Sequence, residues 1–122
     1  MSGVPHVAVE WFHDLGRDEE ILQGLEGLKV EMLEAALWLS KPRHSNTVVA
    51  IYFDVFDGRI PLRVEACPQP GGLASFSLVN VEDGEELGII SLAPLGTLSR
   101  GELEERIREL CKSMGVDYED HL

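Results

Sequence analysis

The chain has 122 residues, 44% of them apolar and 26% charged. That is ordinary composition for one domain, and a chain of this size buries about 65% of its unfolded surface without help from disulfides or metal. Its 22 acidic residues against 10 basic ones give a net charge of −12, which argues against nucleic acid and anionic membrane as partners, because both require clustered Lys and Arg.

Residues 4–12, VPHVAVEWF, are rich in β-branched and aromatic side chains and predict a short strand or extended arm within 1–16, broken at Gly16. Asp18 is a fair N-cap for a helix whose first turn holds Glu19 and Glu20, where the helix dipole favours negative charge. Ile21, Leu25, Leu28, Met32, Ala36 and Leu39 recur every three or four residues, which is one apolar helical face. The helix spans 17–41, because Pro42 disfavours helical geometry at Lys41. Gly24 and Gly27 weaken its first turns by up to about 1 kcal/mol each, and either are simply tolerated or allow another backbone to approach closely.

Residues 47–67, TVVAIYFDVFDGRIPLRVEAC, read as two alternating strands folded about Asp57-Gly58. Pairing them there sets Val55 opposite Ile60, Phe53 opposite Leu62, Ile51 opposite Val64 and Val49 opposite Ala66, an entirely apolar face. Pro61 has no N–H to give, so the expected loop is the four residues Phe56 to Arg59, with Pro61 on an uncovered edge. A Pro-Gly connector from Cys67 to Gly72 leads to a second hairpin, 73–81 against 85–93. A three-residue loop, Glu82-Asp83-Gly84 with Gly84 left-handed, sets Phe76 opposite Ile90 and Ala74 opposite Leu92. Val79, Leu87 and Ile89 then fall on the other face, which is too apolar to stand fully in water and calls for cover by the N-terminal arm or by a partner.

Ser99-Arg-Gly-Glu102 is a capping box with Leu98 and Leu103 as its hydrophobic staple. It opens a helix over 99–114 that buries Leu103, Ile107, Leu110 and Met114 and ends at Gly115. Glu102–Arg106 and Glu104–Arg108 fit its wet face as i,i+4 pairs. An acidic tail, 115–122, closes the chain. The expected architecture is a single α+β domain, a two-layer sandwich. Its four-stranded antiparallel sheet, 47–93, is made of two hairpins and has two helices packed on one face. No apolar run reaches the roughly 18 residues of a membrane span, and the N-terminus lacks a secretory signal pattern. Cys67 and Cys111 are too few for a disulfide framework and have no second Cys or His at zinc-ligand spacing, so a reducing cytoplasmic or nuclear setting is expected.

Three constellations carry chemistry. On the outer face of the first hairpin, Tyr52, Asp54 and Phe56 stand opposite Arg63, Pro61 and Arg59, which places a guanidinium near each ring. Tyr and Arg are frequent interface anchors, so Tyr52, Asp54, Phe56, Arg59 and Arg63 form the candidate binding set, against ordinary strand-face packing. His6, Glu10 and His13 share a face at i, i+4, i+7 if 4–12 is helical and form a candidate divalent metal shell. On a strand His13 points away from the other two. The acidic run Glu82, Asp83, Glu85, Glu86 lacks the alternating ligand spacing of a calcium loop. No nucleophile with an oxyanion donor and no Gly-rich phosphate loop is present, so neither a catalytic site nor a cofactor is expected.

A long helix containing Glu31-Met-Leu-Glu34, a strand ending in Arg63-Val-Glu-Ala-Cys-Pro68 before a Pro-Gly connector, and Leu98-Ser-Arg-Gly-Glu-Leu103 opening a closing helix together resemble an RWD-type protein-interaction domain over about residues 20–114. The family's Tyr-Pro-x-x-x-Pro signature is absent, with Cys67-Pro-Gln-Pro70 in that region, and residues 85–93 supply a strand where the family goes straight to helix. The resemblance implies a binding module and carries over no functional residue. The expected function is therefore non-catalytic protein binding, as an adaptor or scaffold, through the outer sheet face or the Pro61 edge. The alternatives are an acidic inhibitor or immunity-type protein that neutralises a basic enzyme such as a nuclease, and a small metal-dependent enzyme built on His6, Glu10 and His13. The half-apolar outer face also admits a homodimer.

Overall fold

The computed structural model describes residues 6–39, 50–69, 74–93 and 99–113. The elements are β1 (His6–Trp11), α1 (Asp18–Glu26), α2 (Lys29–Leu39), β2 (Ile51–Asp54), β3 (Leu62–Cys67), β4 (Ser75–Asn80), β5 (Glu86–Ala93) and α3 (Arg100–Ser113). The strands form one open antiparallel sheet in the order β1-β5-β4-β3-β2. The α+β class and the antiparallel sheet are as expected from sequence, but among the described residues the sheet has five strands, not four, and there are three helices, not two.

The fifth strand is the N-terminal segment. Val7, Val9 and Trp11 alternate with His6, Ala8 and Glu10, and this period of two lets one face be buried. The segment pairs with β5, so it extends the sheet rather than covering it. The registers then line up side chains from all five strands. Val9, Ile90, Phe76, Ala66 and Ile51 form one transverse row, and Trp11, Gly88, Leu78, Val64 and Phe53 form another. Both rows face the helices, and Val64, Ala66, Phe76, Leu78 and Ile90 join Leu25, Met32, Leu37 and Ile107 in one buried cluster. Burying such side chains is worth roughly 1.5–3 kcal/mol each.

The first hairpin is shifted from the expected register. Ile51 pairs with Ala66, Phe53 with Val64 and Asp54 with Arg63, each partner two residues later than the register expected for a Phe56–Arg59 loop. A shift of two keeps every side chain on its face, so the alternation survives although the partners change. The expected pair of Val49 with Ala66 falls partly outside the described residues. Val55 through Pro61 leave the ladder as a connection, and Pro61 does not stand on an open edge: its carbonyl accepts the Val81 N–H at 2.9 Å. Within the connection, Phe56, Asp57 and Gly58 are left-handed, with φ of 52°, 54° and 80°. The two non-glycine residues cost about 1–2 kcal/mol each. The Phe56 carbonyl accepts both the Arg59 backbone N–H at 3.0 Å and the Arg59 Nε–H at 3.1 Å, which closes the turn. The Phe56 ring is the physical reason for the longer connection. It packs on α1 at Gly24, where an added Cβ would lie 2.6 Å from the ring's Cζ.

The second hairpin keeps Phe76 opposite Ile90 as expected. Its loop is one residue longer, however, running from Val81 to Gly84 between Asn80 and Glu85, with the Asn80 N–H bonded to the Glu85 carbonyl at 2.8 Å. A bulge between Leu78 and Val79 absorbs the extra residue. Gly84 is left-handed as anticipated, with φ 74°. The bulge also turns Leu87 into the core cluster, away from the outer face where plain alternation puts it. Next to it, Gly88 lets β1 come close: a Cβ there would sit 2.9 Å from the Glu10 carbonyl oxygen.

The single helix expected over 17–41 is two. At Gly27 and Leu28 the bonding tightens, with the Leu28 N–H reaching Leu25 rather than Gly24, before α2 begins at Lys29. Asp18 is the first helical residue rather than the cap, and its carboxylate accepts the Leu15 N–H. Met32, Leu33, Ala35, Ala36, Leu37 and Leu39 are all buried, so α2 is enclosed on more than the one expected face. Leu103 and Ile107 of α3 are buried as anticipated. Ser99 accepts the Glu102 N–H at 3.4 Å, half of the capping box, and its hydroxyl donates to the Glu102 carboxylate at 2.7 Å. Arg106 approaches Glu109 at 3.9 Å instead of Glu102. Leu98, Met114, Gly115, the tail and the side chain of Leu110 lie outside the described residues.

Gly24→Ala should destabilise the fold by about 1–3 kcal/mol through its collision with Phe56. In a Phe56→Ala background the same change should stabilise by up to about 1 kcal/mol, the normal helix preference. Urea denaturation of the four proteins of this cycle reads the reversal of sign, and additive effects would refute the contact. Gly88→Ala should cost about 1–3 kcal/mol in the same assay, because the obstructing atom is backbone and cannot swing aside.

Candidate binding face

The face of the sheet opposite the helices carries the row between the two apolar ones: Glu10, Ile89, Ser77, Glu65 and Tyr52, one residue from each strand. Tyr52 and Ile89 are 52% and 45% exposed, large values for such side chains inside a sheet. Ala8 pairs with Ser91 and Ser75 with Cys67, so the ground beside the row is small or weakly polar. Val79 stands between Arg63 and Glu86 in the registers. It is only 5% exposed, yet lies outside the core cluster, so it is buried on the outer side.

Of the five residues expected to form the binding set, the structure brings Tyr52, Asp54 and Arg63 together and separates Phe56 and Arg59 from them. The Arg63 guanidinium lies 4.4 Å from the Tyr52 ring centroid. The contact is diagonal, because Tyr52 stands opposite Glu65 and Arg63 opposite Asp54. Arg63 Nη2 is 3.9 Å from the Glu65 carboxylate, while its Nε is buried without a hydrogen-bond partner. The arginine is thus held by stacking and charge more than by hydrogen bonds, which suits a planar, weakly hydrated cation. Phe56 faces α1 instead, and Arg59 belongs to the same turn, with its guanidinium 5.9 Å from the Phe56 ring.

His6 and Glu10 lie on the outer face of β1, with Ala8 between them. His13 is past the strand end and shares a 3.0 Å hydrogen bond with Glu85. Strand geometry therefore does not assemble these three, and among the described residues no three His, Cys, Asp or Glu side chains gather as a metal-ligand set. At the start of α1 an open depression of about 600 Å³ is lined by Asp14, Arg17, Asp18, Glu19 and Glu20. Three of its acids are engaged in local structure: Asp14 accepts the Gly16 N–H, Asp18 the Leu15 N–H, and Glu20 pairs with Arg17 at 2.9 Å. The hydrogen bond from Arg17, and then its charge, hold the Glu20 carboxyl below the ordinary carboxylate range.

Sequence reasoning missed Glu10, Ser77 and Glu65 as one row. The signal was present in the period-two pattern of β1, but the row exists only once β1 pairs with β5, 80 or so residues along the chain. It also missed Glu26, whose carboxylate accepts the Val7 N–H at 2.7 Å and so caps the β1 edge. A glutamate at a helix C-terminus is unfavourable for the dipole, and this misfit was the available clue. Comparison with known proteins finds no matching family model, no matching curated protein and no matching solved structure.

Cys67 sits on the outer face 3.6 Å from the Glu65 carboxylate. Burial, then the Glu65 charge and the hydrogen bond to it, push the thiol above its usual value. The protonated form is the one favoured, so Cys67 should alkylate slowly at pH 8. Glu65→Gln should lower the midpoint of the alkylation–pH profile and speed the reaction at pH 8, read at Cys67 by peptide mass mapping. An unchanged profile would remove Glu65 as a cause.

Proposed function

We propose that this chain is a non-catalytic protein-binding domain that receives its partner on the outer face of the sheet. The observation that carries this reading is the row Ile89–Ser77–Glu65–Tyr52, whose ends Ile89 and Tyr52 are exposed on the side of the sheet opposite the helices, with Ser91, Ser75 and Cys67 along one flank. Isolated exposed apolar residues are ordinary, but the registers hold Ile89 and Tyr52, with its stacked Arg63, in one row on the same face. Tyr and Arg are the residue types in which interface energy concentrates. In the depression at the start of α1, Asp14, Asp18 and Glu20 are spent on turns and an ion pair. The sequence likeness to RWD-type domains points the same way. As a surface domain of this kind it would serve as an adaptor or scaffold.

The test is affinity capture from native lysate with the wild type, Ile89→Asp and Tyr52→Ala. Both changes are at exposed positions and should leave the melting temperature nearly unchanged. A partner held by the wild type should be lost by Ile89→Asp and weakened about tenfold or more by Tyr52→Ala. A partner retained equally by all three proteins would move the interface elsewhere.

A further inference from the structure

Resting on that reading of the outer face, we infer that its occupant is a cationic protein segment that brackets an aliphatic contact with Lys or Arg. Among the described residues, four carboxylates stand on this face, Glu10, Glu65, Glu86 and Asp54, against the guanidinium of Arg63 and the imidazole of His6 at its edge. That guanidinium stacks on Tyr52 and lies 3.9 Å from Glu65, so it offsets part of one carboxylate and leaves the face net acidic. The carboxylates lie in the Glu10 row and in the neighbouring row from Glu86 to Asp54, and leave Ala8, Ser91, Ser75 and Cys67 on the other flank uncharged. In the row Glu10–Ile89–Ser77–Glu65, the two acids are three strand spacings apart, about 14 Å, with Ile89 and Ser77 between them. An extended segment laid across the strands spans that distance in about four residues. One apolar side chain over Ile89 with a cation on either side matches both features at once.

The same charges weigh against a second copy as the occupant. A two-fold contact through this face would set the four carboxylates against four identical ones, between molecules that each carry −12. The face is also small for a stable dimer. Five strands at about 4.8 Å and six residues at about 3.4 Å give roughly 500 Å², against the roughly 800 Å² per partner of a standard interface. A cationic segment needs no such area, because opposite charge supplies the encounter and the apolar centre fixes the position.

The experiment follows backbone amide shifts of the labelled full chain at 0.1 M salt against three synthetic ten-residue peptides: a Lys-Ser-Val-Ser repeat (Lys/Val), which sets Lys, Val and Lys on one side of an extended chain, the same repeat with Ser for Lys (Ser/Val), and the same repeat with Gly for Val (Lys/Gly). The Lys/Val peptide should shift Ala8, Glu10, Ser77, Ile89 and Ser91 together. The paired change Glu10→Gln with Glu65→Gln should weaken it about fivefold or more. Raising salt to 0.5 M should weaken it further. Ile89→Ser should weaken the Lys/Val peptide but not the Lys/Gly one. Equal binding of Ser/Val and Lys/Val peptides on this face would overturn the cationic inference while keeping the binding face. Shifts spread over all acidic surfaces, equally for Lys/Gly, would overturn it as plain charge attraction. Concentration-dependent shifts on the face without peptide would make a second copy the occupant, and no shift there with any peptide would remove the face as well.

Discussion

Everything in this fold depends on five strands keeping one phase. A sheet has one side to bury, and a single-residue slip in any strand would send its apolar set into water. The two apolar rows, Val9 to Ile51 and Trp11 to Phe53, exist because each of four registers preserves that phase. The places where local geometry works against it are where the chain departs from regular structure. The second loop holds one residue more than a three-residue turn, and the bulge at Leu78/Val79 restores the alternation. The first loop shifts by two, which the phase tolerates without correction.

The helices meet the same constraint from the other side. α2 is enclosed, and the chain reaches it through the tightened turn at Gly27, so α1 can lie along a different part of the sheet. Gly24 and Phe56 lock α1 to the first hairpin, and Glu26 locks it to the β1 edge through the Val7 N–H. Two left-handed non-glycine residues cost about as much as burying one or two aromatic or aliphatic side chains returns. The strained turn is therefore sustainable while the Phe56 ring stays packed. The outer face is the by-product of this arrangement: with the helices on one side, every second residue of each strand faces away from the core.

Much of the fold was legible in the residues. The period of two in 50–67 and 74–93 gave the hairpins and their faces, and the Leu103/Ile107 spacing gave the buried side of α3. The candidate site was legible only in part. Tyr52, Asp54 and Arg63 were placed correctly because the face of a strand residue depends on parity alone. Phe56 and Arg59 were misplaced because they lie in the connection, where parity carries no information and packing on Gly24 decides.

The sequence by itself determined which residues alternate, that helices open near residue 18 and residue 100, and that the chain is strongly acidic, because those are local or additive properties. Only the tertiary structure decided that β1 is an edge strand rather than a cover, that α2 is enclosed, and that Glu10, Ile89, Ser77, Glu65 and Tyr52 share one line. These depend on which distant segment a strand pairs with. Many pairings satisfy the same alternation, and the choice among them falls to the packing of the whole core.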